Sequence, residues 1–392
     1  MAEQINIIQF MPYFPPHKWW LETHWEQWAN WWMKKQYWKV YNVVTDFNQS
    51  FDLWTEITYN ETIIWYKKND VENLIVPSFE IILGFPFYNI WSKEYRLILK
   101  YLESKEVDII ITRTRFFLTS YLWWRYAKRQ HINWVHIEHG SGFIKLNSQF
   151  KNIVAKIYDR LIWKWIFINA NKVVWVSDAC KWFIQKNFIN RQVDVIYRWI
   201  EQKWIIEKTV LKDKFPNKII VWFVGRLFKW KNVESLIKAY YLLDEEIKGN
   251  IKIVIIWEWE DFETLVELDR MKQIYFTGWK NSIEALELQA QFDIHYHTSS
   301  QWWWLATTLL QAMMLGKFII ATPYEWAKEV IINWENGILL RDDSVLNMKM
   351  WLEFWLLQFK EKEGIYALKN NTIVINDFSW DKNILKYYKL FS

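Results

Sequence analysis

Glycine is scarce in this sequence. The chain has 392 residues but only 9 glycines and 7 prolines, whereas glycine supplies roughly 7% of the residues of ordinary proteins. It contains 32 tryptophans instead, several in runs such as Trp302–Trp304. Tight turns that need a positive φ favour glycine. Other residues must therefore hold many turn positions, and tryptophan is the one in excess.

Cysteine and long apolar runs are scarce as well. The single cysteine, Cys180, excludes an internal disulfide framework and fits a reducing compartment. No run approaches the roughly 18 apolar residues of a membrane span, since Leu161–Ala170 is interrupted by Lys164. The N-terminus lacks the basic segment and apolar stretch of a secretory signal. These features predict a cytoplasmic protein.

The net charge of the chain is small. Lys and Arg number 49 and Asp and Glu 44, which gives a net charge of +5 over the whole chain. This is too little to indicate a nucleic-acid partner, although a local basic face could still meet anionic lipid. Apolar residues make up 52% and charged residues 24%, as in a globular protein. The length predicts about two or three domains.

Short β-rich runs alternate with helical stretches along the chain. Runs such as Lys218–Val224 and Ile251–Ile256 are apolar on both faces, as in a parallel sheet covered by helices on both sides. The pattern predicts two doubly wound α/β domains of the Rossmann type, with a strand also at Val193–Arg198. The predicted domains are residues 1–200 and 201–377, joined by the Lys- and Glu-rich stretch 201–217. Residues 378–392 are predicted to form a final helix.

One local signal follows the strand that ends at Val224. Gly225 permits a sharp turn, and Arg226 and Lys231 then lie just before a helix that begins near Val233. Cations beside a helix N-terminus suit a diphosphate group. The segment is equally consistent with a solvated basic turn.

A second signal is the stretch Thr298–Gly316. It contains a strand end, a loop and a helix predicted to begin at Leu305, so that the free amides of Leu305 and Ala306 face the ligand side of the sheet. Gln311 lies about two turns into this helix and could reach ribose hydroxyls. Taken alone, it is also consistent with a buried helix that carries one polar residue.

Two further groups have alternative interpretations. His295 and His297 alternate on one strand and could begin a zinc site, but no third ligand is evident and we predict no metal. The segment 113–129 is both basic and aromatic, which is typical of a membrane-interface helix and also of a core helix with a solvated face. Its cationic residues are Arg113, Arg115, Arg125, Lys128 and Arg129.

As an ordered set, these segments resemble glycosyltransferase family 4, whose members are retaining enzymes with the GT-B fold. The resemblance covers nearly the whole chain. It is carried by these segments: Pro12–His24, Glu138–Gly140, Val195–Ile200, Val224–Lys231, Phe276–Gly278, Thr298–Gly316, Ala321–Thr322, Lys328–Ile331, Glu335–Gly337 and Phe378–Trp380. It implies two Rossmann-like domains around a central cleft, with the C-terminal helix crossing back to the N-terminal domain.

The resemblance also implies roles for particular residues. Arg226 and Lys231, with Gly225, would hold the diphosphate of a nucleotide-sugar donor. His139 would stabilise the transferred sugar or assist proton movement, although by itself it is better read as a buried core histidine. The other donor contacts would come from Leu305, Ala306, Gln311 and Glu329. The loop with Trp19, Trp20 and Glu22 would face the donor phosphate or the acceptor.

The sequence departs from the family in two ways. The family's pair of glutamates eight positions apart is replaced here by Trp303 and Gln311, and a tryptophan cannot replace a carboxylate. Tryptophan also occupies many positions at which the family has glycine: Trp19, Trp20, Trp199, Trp257, Trp259, Trp326 and Trp334. We hypothesise that these glycines have been replaced by, or misread as, tryptophan, which an intact mass would decide. Each such residue at a positive φ would cost on the order of 1–3 kcal/mol.

The sequence therefore predicts a retaining, metal-independent glycosyltransferase that needs no cofactor. Its partners would be a nucleotide-diphosphate sugar, a glycan or lipid-linked acceptor, and an anionic surface at the inner face of the membrane. An alternative is a catalytically silent subunit that binds a sugar nucleotide, and a further one is a sugar-nucleotide epimerase of the same architecture. Neither the sugar nor the acceptor can be named from the sequence.

Overall fold

A computed structural model of the chain describes most of its residues in two compact units. The described residues are 5–11, 20–34, 38–46, 55–59, 63–68, 71–82, 85–115, 117–143, 149–191, 193–200, 210–225, 227–256, 261–300 and 306–391. The first unit groups residues 1–176, 180–195 and 391, and the second groups residues 177–179, 196–390 and 392. The packing of the C-terminal helix on the N-terminal domain stays a prediction.

The first unit is built on an eight-stranded sheet with the order β10-β9-β8-β1-β2-β5-β4-β3. Its strands are β1 (Ile5–Met11), β2 (Trp38–Thr45), β3 (Thr55–Tyr59), β4 (Ile63–Lys68), β5 (Val71–Val76), β8 (Ile109–Arg113), β9 (Asn133–Glu138) and β10 (Lys172–Trp175). A separate antiparallel pair is formed by β6 (Ser78–Ile82) and β7 (Phe85–Tyr88). The six strands from β10 to β5 are parallel, and their order reverses between β1 and β8.

Helices and one π-helical turn complete the first unit. They are α1 (Trp20–Lys34), α2 (Lys93–Glu103), α3 (Thr119–Gln130), α4 (Gln149–Tyr158), the π-helical turn Asp159–Trp163, α5 (Lys164–Asn169) and α6 (Asp178–Asn187), which begins with two residues of the second unit. The hydroxyl of Ser92 accepts a hydrogen bond from the amide of Tyr95 at 3.0 Å and so caps α2. A serine in this position satisfies one of the free amides of the first turn.

The second unit contains a six-stranded parallel sheet with the order β13-β12-β11-β14-β15-β16. Its strands are β11 (Ile219–Val224), β12 (Ile251–Ile256), β13 (Tyr275–Phe276), β14 (Ile294–His297), β15 (Phe318–Ala321) and β16 (Ile338–Leu339). In order of appearance this is 3-2-1-4-5-6, the order of a dinucleotide-binding fold. The predicted doubly wound α/β class is confirmed.

The helices of the second unit include the predicted amphipathic one. They are α7 (Val210–Lys214), α8 (Val233–Tyr241), α9 (Glu245–Asn250), α10 (Phe262–Leu268), α11 (Ser282–Gln289), α12 (Thr307–Met314), α13 (Glu325–Val330), α14 (Val345–Asp377) and α15 (Trp380–Phe391). A 3₁₀ turn, Lys229–Lys231, precedes α8. The predicted stripe on α8 is buried at Val233, Leu236, Ile237 and Tyr240, so the periodicity located its core face correctly.

Two details differ from the sequence predictions. The segment Val193–Arg198 forms no strand, since only Val195 makes a bridge, to Trp175. The chain passes from one unit to the other directly after Val195, which leaves little length for pairing. The strain expected at tryptophans in glycine positions is confined, among the described residues, to Trp334, whose φ is +70°. Trp20 and Trp326 lie in helices.

Candidate functional site

The sheet of the second unit places two loops side by side. The strand order reverses between β11 and β14, which pair directly through Val221 with Ile294 and Trp222 with His295. Ligands of such sheets bind outside the carboxyl ends of the strands at this reversal. The loops that leave β11 and β14 are therefore the candidate ligand-binding loops of the second unit.

The chain leaves β11 through a residue that only glycine suits. Gly225 has a φ of +148°, where an L-residue would be strained. Its amide donates to the carbonyl oxygen of Ile256 at 3.4 Å, so the turn still pairs with β12. Arg226 follows it, outside the described residues.

Lys231 ends the 3₁₀ turn at this edge of the sheet. Its Nζ donates to the Oγ of Ser299 at 3.3 Å and lies 4.5 Å from the centroid of the Trp230 ring. Ser299 is in the loop that leaves β14. The structure thus brings the predicted cation to the reversal point, beside the beginning of α8 and only partly buried.

Hydroxyl groups tie the neighbouring loops together. Thr298 donates through Oγ1 to the carbonyl oxygen of Lys231, and Ser300 donates to that of Trp230 through both its amide, at 2.8 Å, and its Oγ, at 2.9 Å. Thr322, after β15, donates through Oγ1 to the carbonyl oxygen of Ser299. Three loops are therefore held in one arrangement around Lys231.

His295 and His297 lie on β14 below this site. Burial, reinforced by the nearby charge of Lys231, lowers the pKa of His295 to about 3 and that of His297 well below its ordinary value. Both side chains are thus neutral near pH 7. Across the described part of the chain, no three His, Cys, Asp or Glu side chains come close enough together to hold a metal ion.

The helix after β14 begins later than predicted. α12 starts at Thr307, and Ala306 is its N-cap residue, so the free amides of the first turn belong to residues after Ala306 and not to Leu305 and Ala306. Leu305 lies outside the described residues, as do Gln301 and Trp302–Trp304. Gln311 is partly exposed, between buried neighbours at Leu310 and Ala312. Its contact with a ribose stays a prediction.

Glu329 accepts backbone hydrogen bonds within the second unit. Its carboxylate oxygens accept from the amides of Asp178, at 3.1 Å, and Ala179. Tyr197 donates to Asp178 Oδ2 at 2.7 Å beside it. Burial raises the pKa of Glu329 to about 7, although the two amides act in the opposite direction. The contact of Glu329 with a sugar stays a prediction.

In the first unit, His139 lies in a loop fixed by buried charges. It follows β9 directly and is almost fully buried. The adjacent carboxylate of Glu138 accepts from the amide of Gly140 at 2.6 Å, from the amide of Arg115 at 2.9 Å and from Arg115 Nη1 at 3.1 Å. The guanidinium also donates to the carbonyl oxygens of Gly140, at 3.0 Å, and Gly142. One arginine thus holds both sides of the loop that carries His139.

Only glycine fits at position 140 in this arrangement. A Cβ there would lie 2.3 Å from Arg115 Nη1, well inside contact distance. The guanidinium can therefore reach the backbone on both sides of the loop because residue 140 has no side chain. This accounts for one of the few glycines in the sequence.

The same arginine meets a second buried carboxylate. Asp159 Oδ1 lies 3.6 Å from Arg115 Nε. Burial raises the pKa of Asp159 to about 6, with Arg115 acting against this shift and Glu138 adding to it. Burial alone would also raise the pKa of Glu138, but Arg115, His136 and the amide of Gly140 lower it below its ordinary value. One guanidinium thus contacts two buried carboxyl groups, of which Glu138 has a lowered pKa and Asp159 a raised one.

Sequence reasoning did not predict this cluster. It left the segment 113–129 open between a membrane-interface helix and a core helix, and Arg113 and Arg115 are both fully buried. Arg113 donates to Gln9 Oε1 at 2.5 Å and lies over the rings of Trp25 and Trp28. Their position at the end of the apolar strand β8 was the available signal, because residues at the carboxyl end of a parallel strand face the reversal point.

The aromatic residues of α3 also lie inward. Trp123, Tyr126 and Ala127 are buried, and Trp124 packs edge-on against Trp165 at 3.9 Å between centroids. The side chains of α3 that remain exposed are charged, so it is a core helix with a solvated face. It does not present an apolar surface.

The predicted acceptor loop is shorter than expected. Trp19 lies outside the described residues, and α1 already begins at Trp20, with Glu22 in its first turn. The expected loop over residues 12–24 therefore ends before Trp20. That this loop faces an acceptor stays a prediction.

Comparison with known proteins agrees with this architecture. Residues 59–203 match the model of Glycosyltransferase Family 4, and residues 206–363 match that of Glycosyl transferases group 1. An uncharacterized glycosyltransferase of Methanocaldococcus jannaschii is 36% identical in an alignment 397 residues long, which covers 99% of this chain and 98% of the relative. The chain belongs to glycosyltransferase family 4.

Solved structures give this family 4 glycosyltransferase its fold. Sucrose-phosphate synthase of Thermosynechococcus elongatus superposes with a TM-score of 0.77 at 13% identity, over 99% of this chain and 98% of that one. A glycosyltransferase of Rickettsia africae gives 0.73 at 18% identity, over 99% and 98%. HepE of Anabaena, in complex with UDP, gives 0.70 at 14% identity, over 99% of both chains. The two Rossmann-like sheets are thus those of the GT-B fold.

Proposed function

We propose that this glycosyltransferase is a retaining enzyme that transfers a sugar from a nucleotide-diphosphate sugar to a glycan or lipid-linked acceptor. The observation that carries the proposal is the position of Lys231, partly exposed and tied to Ser299 where the strand order of the second unit reverses. A single ammonium beside a helix N-terminus is suited to the diphosphate of a donor. HepE, of the same fold, has been solved with UDP and with UDP-glucose.

In this proposal the donor lies along the carboxyl edge of the second sheet. Arg226 and Lys231 neutralise the diphosphate, and Gly225 allows the backbone to approach it. Gln311 hydrogen-bonds the ribose, while Glu329, the start of α12 near Leu305 and Ala306, and His139 contact the sugar. The acceptor enters past the segment with Trp19, Trp20 and Glu22.

The proposed reaction keeps the configuration of the sugar. The bond from the anomeric carbon to the leaving phosphate breaks, and a bond to the acceptor oxygen forms on the same face. The acceptor proton passes to the leaving phosphate, whose negative charge is stabilised by the cations beside it. No carboxylate nucleophile is required, which agrees with the absence of the usual glutamate pair from the sequence. The reaction needs no metal and no cofactor.

A donor screen tests the proposal directly. The purified protein is incubated with UDP-, ADP- and GDP-sugars, with and without chelator, and the released nucleoside diphosphate is measured. We expect slow release from one donor class, unchanged by chelator, and NMR of the product to show the anomeric configuration of the donor. Release from no donor, or an inverted product, would contradict the proposal.

The second candidate is a silent subunit that binds a sugar nucleotide. Trp303 and Gln311, at the positions of the two glutamates, favour it. Binding of a donor without release of nucleotide, measured in the same screen, would support this candidate.

The proposed place of action is the cytoplasm, at the inner face of the membrane. The single cysteine, Cys180, is buried and forms no disulfide, as in a reducing compartment. Within the described residues, no helix has the length and apolarity required to cross a bilayer. Any contact with the membrane through those residues would then be made at its surface.

A further inference from the structure

The longest exposed apolar stripe of the first unit runs along α4, the π-helical turn and α5. Five large apolar side chains spaced three, four, four and seven residues apart point outward from this continuous helical segment. They are Phe150 at 75% exposure, Ile153 at 58%, Ile157 at 52%, Leu161 at 69% and Ile168 at 58%. Single exposed apolar residues are common, but a stripe at helical spacing marks an interaction surface.

The opposite side of the same segment is anchored in the core. Asp159, Trp163, Ile166 and Phe167 are fully buried, and the last three belong to the hydrophobic core of the first unit. The rotation of this segment is therefore fixed by the fold. The outward stripe contributes nothing to that core, so its apolarity needs another explanation.

A cationic stripe runs beside the apolar one. Lys156, Arg160 and Lys164 follow one another four residues apart and are all exposed, while Asp159 faces Arg115 in the interior. No exposed acidic side chain occurs among the described side chains of residues 149–169. An apolar face flanked by Lys and Arg is typical of helices that lie in the interface of an anionic membrane, because long cationic side chains reach the headgroups while the apolar ones enter the acyl boundary.

The basic helix α3 provides a contrast within the same unit. It also exposes three cations, Arg125, Lys128 and Arg129, but its aromatic side chains pack inward. Charge alone would attract α3 to an anionic surface weakly, whereas α4–α5 offers both charge and apolar area. The segment also spans about 30 Å at 1.5 Å per residue, and a convex helical face suits a flat bilayer.

We infer that the exposed face of residues 149–169 is a membrane-binding surface that inserts into the interface of a bilayer containing anionic phospholipid. It would bring this glycosyltransferase to a membrane independently of the donor, so that the binding does not depend on whether the proposed sugar transfer is correct.

Vesicle flotation tests this surface without any donor. Wild-type protein should float with vesicles of phosphatidylcholine and phosphatidylglycerol, and much less with phosphatidylcholine alone. The triple variant Ile153→Ser, Ile157→Ser, Leu161→Ser should bind the anionic vesicles about 100-fold more weakly, since three apolar side chains no longer enter the interface. The triple variant Lys156→Gln, Arg160→Gln, Lys164→Gln should lose a similar factor, and only on anionic vesicles.

Two matched controls separate the surface from general effects. Arg125→Gln, Lys128→Gln, Arg129→Gln removes the same charge from α3, and Leu346→Ser, Leu368→Ser removes exposed apolar residues from α14. Both should leave flotation within about two-fold of wild type, because neither set lies on the stripe. Equal loss from α3, or no binding by the wild type, would overturn the inference.

A fluorescent probe locates the contact. Cys180 is the only cysteine and is buried, so Leu161→Cys adds one exposed thiol for an environment-sensitive dye. Its emission should shift to the blue with anionic vesicles, whereas a dye at Leu368→Cys should not respond. If instead the wild type is a dimer that the serine variant dissolves, and neither floats, the face joins two copies and the inference is wrong.

Discussion

The six parallel strands of the first sheet have the same order as the six strands of the second, but the two units hold their loops at the reversal point by different means. In the first unit, buried charges do this: Arg115 binds Glu138, Asp159 and the carbonyl oxygens of the loop that carries His139. In the second unit, the hydroxyls of Thr298, Ser300 and Thr322 tie the loops together.

The two units differ in how they use charge. In the first unit the guanidinium of Arg115 is used within the protein. In the second, hydroxyl groups hold the loops, and the ammonium of Lys231, which donates to Ser299, is only partly buried. The same topology thus uses a buried cation in one unit and hydroxyl groups in the other, and our proposal assigns the partly buried cation of the second unit to the donor's diphosphate.

The largest expected effect comes from breaking the charge cluster. Arg115→Met leaves Glu138 and Asp159 buried without their cation, so the free energy of unfolding at pH 7 should fall by about 3–5 kcal/mol. Chemical denaturation measures this free energy. The control variant Arg125→Met, at an exposed position, should change it by less than about 0.5 kcal/mol. Equal effects of the two variants would show that the cluster does not hold the first unit together.

The pH dependence of stability sharpens the same point. The pKa of Asp159 is raised from 3.8 to about 6 in the folded protein, so folding takes up a proton. Stability from this group is present below about pH 4 and is lost as the pH rises towards 6. The difference in unfolding free energy between wild type and Asp159→Asn should therefore change over that range. A constant difference would contradict the buried, shifted carboxyl.

Breaking one hydroxyl tie in the second unit should cost less. Thr322→Val keeps the shape of the side chain but removes the donor to the carbonyl oxygen of Ser299. The expected loss of unfolding free energy is about 1 kcal/mol, measured under the same conditions as Arg115→Met. A loss as large as that of the arginine variant would remove the distinction drawn between the two units.

An effect of similar size concerns a tryptophan in a glycine-like conformation. Trp334 has a φ of +70°, and both Trp334→Gly and Trp334→Ala remove its ring contacts with Trp351 and Phe354. Only glycine is free of strain at this φ, so the glycine variant should be more stable than the alanine variant by about 1 kcal/mol. Equal thermal midpoints for the two variants would show that the position carries no such strain.

The sequence predicted the parallel strands of the two sheets better than it predicted the antiparallel strands. Apolar runs such as Ile219–Val224 and Ile251–Ile256 identified buried parallel strands because both faces of such strands are covered. The antiparallel strands β3, β4, β6 and β7 were not predicted, since short antiparallel strands depend on tertiary contacts more than on local pattern.

The candidate site shows the same limit. Gly225 and Lys231 could be predicted because the turn and the cation follow one strand directly. The contact of Lys231 with Ser299 joins residues 68 positions apart, and that of Arg115 with Glu138 joins residues 23 apart. Such pairs depend on which strands become neighbours, so local sequence cannot supply them. The local sequence also could not show that the side chain of Arg115 is buried and structural, whereas that of Lys156 is exposed and is not structural.

The central claim of the proposed function is that the ammonium of Lys231 binds the donor's diphosphate. Titration of UDP, ADP and GDP into wild type, Lys231→Ala and Lys229→Ala tests it most directly, because Lys229 is an exposed lysine of the same 3₁₀ turn. For the nucleotide that binds best, Lys231→Ala should weaken binding at least about ten-fold, through the loss of one charge-assisted contact, while Lys229→Ala should bind as wild type does. Equal affinities for all three proteins would contradict the claim.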